Sequence, residues 1–175
     1  MRFAFLVVTG ALVSVAAALP SSTHVLHEKR GAAPKAWVKR SRVDKKQTLP
    51  MRIAMTQSNL DKGHDLLMEV SHPDSPKYGQ WYSGEEVVDL FAPAEEAVDA
   101  VRAWVQSAGI AAHRIGHSAN KQWIQFDADA GEAERLLNTE YHVYEHIPSG
   151  KTNVACDEYQ SLVTFRSTLT MSRLA

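Results

Sequence analysis

Cysteine is nearly missing from this chain. Cys156 stands alone among 175 residues, which excludes an internal disulfide framework and any cluster of cysteine metal ligands. Apolar runs are missing after residue 18, so no later segment is long enough to span a bilayer. There is no glycine-rich phosphate loop and no His-Glu-x-x-His pair. Net charge is nearly missing too, at −1, but this balance conceals an asymmetry. From Lys29 to Lys46 eight Lys or Arg face one acid, Asp44; from Gln47 to Tyr159 eighteen acids face eight bases. A basic arm thus precedes an acidic domain, and its expected partner is an acidic protein surface, its own or another's, rather than nucleic acid.

What is present begins with a leader. Arg2 precedes the apolar run Phe3 to Ala18, sixteen residues long, and Ala16-Ala17-Ala18 offers small residues for cleavage. A spanning helix needs roughly 20 residues, so the run reads as a signal peptide over 1–18, with Ala18 as candidate processing residue. The mature chain is then expected to be secreted, without a membrane partner. Residues 19–46 read as an exposed basic arm in which Lys29-Arg30 is a second candidate processing site.

A single domain is expected over 47–159. Met51 to Thr56 alternates like a half-buried strand. Ser58 and Asp61 predict a capped helix with Leu60, Gly63, Leu67 and Val70 on its inner face, closed by Pro73 and Pro76. Ser83-Gly-Glu-Glu86 is a capping box that opens a short helix with Val87, Leu90 and Phe91 inward. Pro93 suits the start of a third helix with Val98, Val101, Val105 and Ala108 as its stripe and Gly109 as a left-handed stop. Residues 112–115 and 122–127 read as a hairpin, with Ile124 and Phe126 on one side of its second strand. Asp129 to Glu132 caps a last helix, and Tyr141 to Tyr144 is the expected closing strand. The order fits an α+β, ferredoxin-like β-α-β-β-α-β sandwich with extra helix after the first strand. Residues 160–175, six of them Ser or Thr, read as a disordered tail.

Chemistry is harder to find. Glu85 with Asp89, and Glu95 with Asp99, share helix faces at a spacing that suits paired carboxylates, yet eighteen acids in this region make such pairs expected by chance. Gly116-His117-Ser118 lacks the second glycine of a nucleophile elbow. His142 and His146 are four apart, but on a strand that separates them by roughly 13 Å. Cys156 has no nearby base in sequence and reads as a small core residue. No catalytic, cofactor-binding or metal-ligating residue is therefore assigned, and no cofactor is expected.

Several separated patches carry a family likeness: Ser75-Pro-Lys-Tyr-Gly79 through Glu85-Glu86, then Phe91, Pro93, Trp104, Gly109, Lys121-Gln-Trp123, Thr139-Glu-Tyr-His142 and Ala155-Cys-Asp-Glu-Tyr159. Across roughly Lys29 to Tyr159 the chain resembles the activation domain of the sedolisins, secreted serine-carboxyl peptidases that include the fungal tripeptidyl-peptidases. The resemblance implies a propeptide that helps its peptidase fold, blocks its cleft and is shed in acid. Its implied partner is a sedolisin catalytic domain, in cis or in trans. The Gly-Thr-Ser nucleophile segment of that domain does not occur here, so this chain is expected not to be an enzyme. After Tyr159 the family continues into a larger peptidase domain, whereas here only 160–175 follow. A shortened reading frame, a stand-alone protease inhibitor and an unrelated ferredoxin-like binding module are the readings left open.

Overall fold

The computed structural model describes residues 24–31, 34–162 and 169–171. The leader and Ala18 lie outside these residues. The central element is β3 (Thr48–Met55), whose Leu49, Met51, Ile53 and Met55 point to one side and are buried. Beside it runs β5 (Trp123–Asp129), antiparallel, with Ile124, Phe126 and Ala128 on the same side. Two-residue β4 (Gly116–His117) pairs with β5. On the other edge of β3 lies β9 (Leu169–Met171), also antiparallel. The sheet order is therefore β4-β5-β3-β9.

Two helices cover the buried side of this sheet. Helix α3 (Glu95–Ser107) contributes Val98, Val101, Trp104 and Val105, and ends where Gly109 adopts a positive φ of 99°. A side chain at Gly109 would meet the left-handed region that only glycine enters without strain. Helix α4 (Ala130–Leu137) contributes Ala130, Ala133, Leu136 and Leu137. Its start is fixed by a reciprocal capping box in which the Asp129 carboxylate accepts from the Glu132 N–H and the Glu132 carboxylate accepts from the Asp129 N–H. These helix and strand residues form one core with Val43, Ile110, Ile115 and Tyr141.

The plan is the expected α+β ferredoxin-like one, with a different last strand. Residues 141–144 do not close the central sheet. They fall in or beside β6 (His142–His146), which lies between β2 (Trp37–Arg42) and β7 (Thr152–Ala155) in a separate three-stranded sheet. The place beside β3 goes to β9, from the segment read as a disordered tail. That tail also supplies the end of β8 (Glu158–Leu162), which pairs with β1 (His24–Lys29). The basic arm likewise carries two strands, β1 and β2. Composition hid them because their cations face the domain's own acids. Lys29 pairs with Glu158 at 2.9 Å, Lys39 with Asp157 at 2.6 Å, and Arg40 with Glu145 at 2.8 Å. Arg42 bridges Glu134 and Glu140 at 2.7 and 2.5 Å.

Smaller differences have local causes. Residues 112–114 form a 3-10 turn rather than a strand, so the hairpin is short and tight. Pro93 is buried just ahead of the α3 N-cap, Ala94. Ser58 caps nothing. A 3-10 turn over Leu60–Lys62 leads instead into α1 (Gly63–Ser71), and Asn59, in a left-handed conformation, donates its side-chain N–H to the Leu90 carbonyl.

Candidate docking surface

Helix α1, the loop 72–82 and α2 (Gly84–Leu90) form a unit laced together locally. The Ser75 hydroxyl donates to the Glu69 carbonyl at 2.5 Å, the Gly79 N–H donates to the Val70 carbonyl at 2.9 Å, and Lys77 pairs with Glu69 at 2.8 Å. Both halves of the Ser83–Glu86 capping box are made. The bonds from Ser83, its N–H first, hold the Glu86 carboxyl below the ordinary range. Gly63 lies against the Phe91 ring, and Val70 is buried.

Of the expected inner faces, Leu60, Leu67 and Val87 turn outward, whereas Leu90 and Phe91 are half-buried. Leu60 and Leu67 are 59% and 58% exposed, and Met68 and Val87 are also exposed. A helix turned so that Gly63 and Val70 face inward must present 60, 64, 67 and 71 along its flank. In the loop, Trp81 is 64% exposed and Tyr78 is exposed beside it in sequence. Among the described residues eight large apolar side chains are exposed; five belong to this one unit, and a sixth, Leu60, lies in the 3-10 turn that leads into it. Scattered single apolar residues are ordinary on a surface, whereas this concentration marks an interaction site. Exposed carboxylates, Asp61, Asp65 and Glu85, stand on the same elements. The amphipathic period found Leu60, Leu67 and Val87 but gave them the wrong side, and it did not single out Met68. Trp81 and Tyr78, in an irregular loop, carried no directional signal.

The candidate carboxylate pairs stay apart from any chemistry. Glu85, Asp89, Glu95 and Asp99 are all exposed on α2 and α3, and Lys121 pairs with Asp89. Ser118 is engaged within its turn: its hydroxyl donates to the Asn120 side chain and accepts from the Trp123 N–H. His117 is bonded to the Lys121 carbonyl instead of to that serine. His142 is bonded to the Glu140 carbonyl, whereas His146 meets Ser149 and packs against Trp37. Among the described residues no three His, Cys, Asp or Glu side chains gather as a metal site would require. Cys156 is a half-buried free thiol, and burial pushes its pKa up, which opposes a nucleophilic role.

One serine–histidine contact had no sequence signal, because its residues are 134 apart. His27 Nδ1 lies 3.0 Å from Ser161 Oγ, and the His27 ring stacks on Tyr159. Ser161 is wholly buried, so no substrate carbonyl reaches its oxygen; the contact ties β1 to β8. The paired-basic candidate processing residues stand at the end of that same strand. Lys29 is its last residue and Arg30 follows it.

A ferredoxin-like sandwich that keeps an apolar flank in solvent presents a candidate docking surface. Comparison with known proteins identifies the family. Residues 35–162 match the family described as Pro-kumamolisin, activation domain. The chain is 55% identical over 151 residues to tripeptidyl-peptidase sed1 of Aspergillus fumigatus, covering 86% of this chain and 23% of that protein. It is 43% identical over 142 residues to aorsin of Aspergillus oryzae, covering 81% and 22%. Against tripeptidyl-peptidase 1 of Rattus norvegicus the identity is 33% over 129 residues, covering 73% and 22%. The chain spans under a quarter of the length of these relatives and matches only their N-terminal part. It belongs to the pro-kumamolisin activation-domain family, the propeptide region of sedolisin-type tripeptidyl-peptidases. The match begins ahead of the boundary at 47 that composition suggested, and so takes in β2.

Proposed function

We propose that this domain is the folding template and acid-released inhibitor of a sedolisin-type peptidase domain, and that it performs no catalysis itself. The observation that carries the reading is the concentration of exposed apolar side chains on α1, the 72–82 loop and α2, within a chain matching the propeptide region of tripeptidyl-peptidases. Its partner is the peptidase domain of such an enzyme, in cis or in trans. Secretion behind a cleaved leader over residues 1–18 belongs to the same proposal, supported by Arg2, the sixteen-residue apolar run Phe3 to Ala18 and the small residues Ala16-Ala17-Ala18.

Acid release follows from the charge pattern. The domain carries many exposed carboxylates; carboxylates as a class lose their charge in acid, and docking through their ion pairs fades as they protonate. The chain should therefore bind the mature peptidase domain of the Aspergillus fumigatus relative at pH 6.5, and at least tenfold more weakly at pH 4. Surface plasmon resonance with the immobilised peptidase measures both. Equal affinity at the two pH values defeats the acid-release mechanism, and no binding at either defeats the propeptide reading.

A further inference from the structure

Strand β1 ends in Lys29-Arg30, and the structure closes both residues against one acidic corner. The Lys29 ammonium pairs with Glu158 at 2.9 Å. The Arg30 N–H donates to the Asp157 carbonyl at 2.8 Å, and its guanidinium lies over the Tyr144 ring, 5.3 Å from the centroid. Tyr144 in turn donates its hydroxyl to Asp157, whose other oxygen accepts from Lys39 at 2.6 Å. An endopeptidase that reads paired basic residues must take the backbone as an extended strand and draw both cationic side chains into its own acidic pockets. Here one backbone edge belongs to β8, and both side chains are already engaged.

The surrounding architecture is nevertheless weak. Strands β1 and β8 form a sheet of only two strands, which is marginal on its own. A bulge between Leu26 and Glu28 interrupts their register. Strand β8 has independent support from the residues that close α4: the Asn138 side chain donates to Gln160 at 2.6 Å, and the Thr139 hydroxyl donates to the Glu158 carbonyl. So β1 can leave while β8 stays, a local opening far below global unfolding.

We propose that the Arg30–Gly31 bond is a processing site for a paired-basic-specific serine endopeptidase, latched shut by the Asp157–Glu158 corner and cut only when β1 peels from β8. The reaction is hydrolysis. The C–N bond breaks, water gives its oxygen to the Arg30 carboxylate and both its protons to the new Gly31 amino group, which leaves as an ammonium, and no redox partner is needed. Cleavage removes β1 and bares the edge of β8, including the now buried Ser161, at the last residues of the family-matched region. This inference stands independently of the proposed function.

When closing is faster than cutting, the cleavage rate is the rate for an unstructured peptide scaled by the open fraction. The test incubates the full chain, and separately a synthetic peptide of residues 24–36, with a paired-basic serine endoprotease, following products by mass spectrometry. The native chain should be cut after Arg30 at least tenfold more slowly than the peptide. Glu158→Gln should raise the native rate several-fold, whereas Glu145→Gln, which removes the Arg40 pair elsewhere, should leave it unchanged. After cutting, amides 158–162 should lose hydrogen-exchange protection. Equal native and peptide rates overturn the latch. First cleavage at Lys39-Arg40 or Lys45-Lys46 overturns the site, and retained protection of β8 after cutting overturns the coupling.

Discussion

Replacing Glu132 by Gln removes one charge from a bidentate pair while keeping the side chain's size. Arg114 donates to both Glu132 oxygens at 2.9 Å and to the Asp127 carbonyl, so a single guanidinium ties the start of α4 to β5. The Arg114 bonds, opposed by burial and helped by the Asp129 N–H, hold the Glu132 carboxyl below the ordinary range. Arg114 is a third exposed, which screens the pair and moderates its worth. Glu132→Gln should cost about 1–3 kcal/mol at pH 7, read by urea denaturation. Because the folded pKa is depressed, this contribution is complete above the unfolded value near 4.3 and fades as pH falls through the folded one. The gap between wild type and variant should therefore narrow below about pH 4. The Asp129–Glu132 box was legible in the sequence, since caps are local. Arg114 as its clamp was not, because nothing in the chain marks which base crosses eighteen residues to reach it.

At the scale of elements, α3 and α4 lie where their apolar stripes predict, because each stripe is wide enough to settle one orientation against the sheet. Helix α1 is the instructive exception. Its apolar residues spread over a flank as well as a face, and the period alone cannot say which side the domain takes. Leu67→Ser should thus change stability by less than about 0.5 kcal/mol, as exposed sites do. The same change should weaken binding to the peptidase domain at least tenfold. Val70→Ser, on the buried side, should instead lower stability by about 2 kcal/mol or more, since it leaves a cavity and a buried hydroxyl. Thermal melts alongside the binding titration separate the two effects. If Leu67→Ser binds normally, α1 is not the docking flank.

The whole molecule is a ferredoxin-like sandwich completed by a strand from an unexpected place. Alternation and helix period disclosed β3, β5, α3 and α4, which share the core. They did not disclose that 142–146 joins a second sheet, because a strand's sequence names its faces and not its neighbours. The arm's strands were concealed in the same way, their cations matched only by acids distant in sequence. Truncation after Leu162 removes β9 and bares one edge of β3. The shortened domain should lose stability and self-associate, as unprotected edges do, which sedimentation velocity would show. The position of β9 also bears on time. Strand β3 emerges early in synthesis, yet its partner on that edge follows roughly a hundred residues later. Once β5 has emerged and until β9 follows, a growing chain holds its central strand half-matched, so translation itself sets the interval in which this domain is most in need of company.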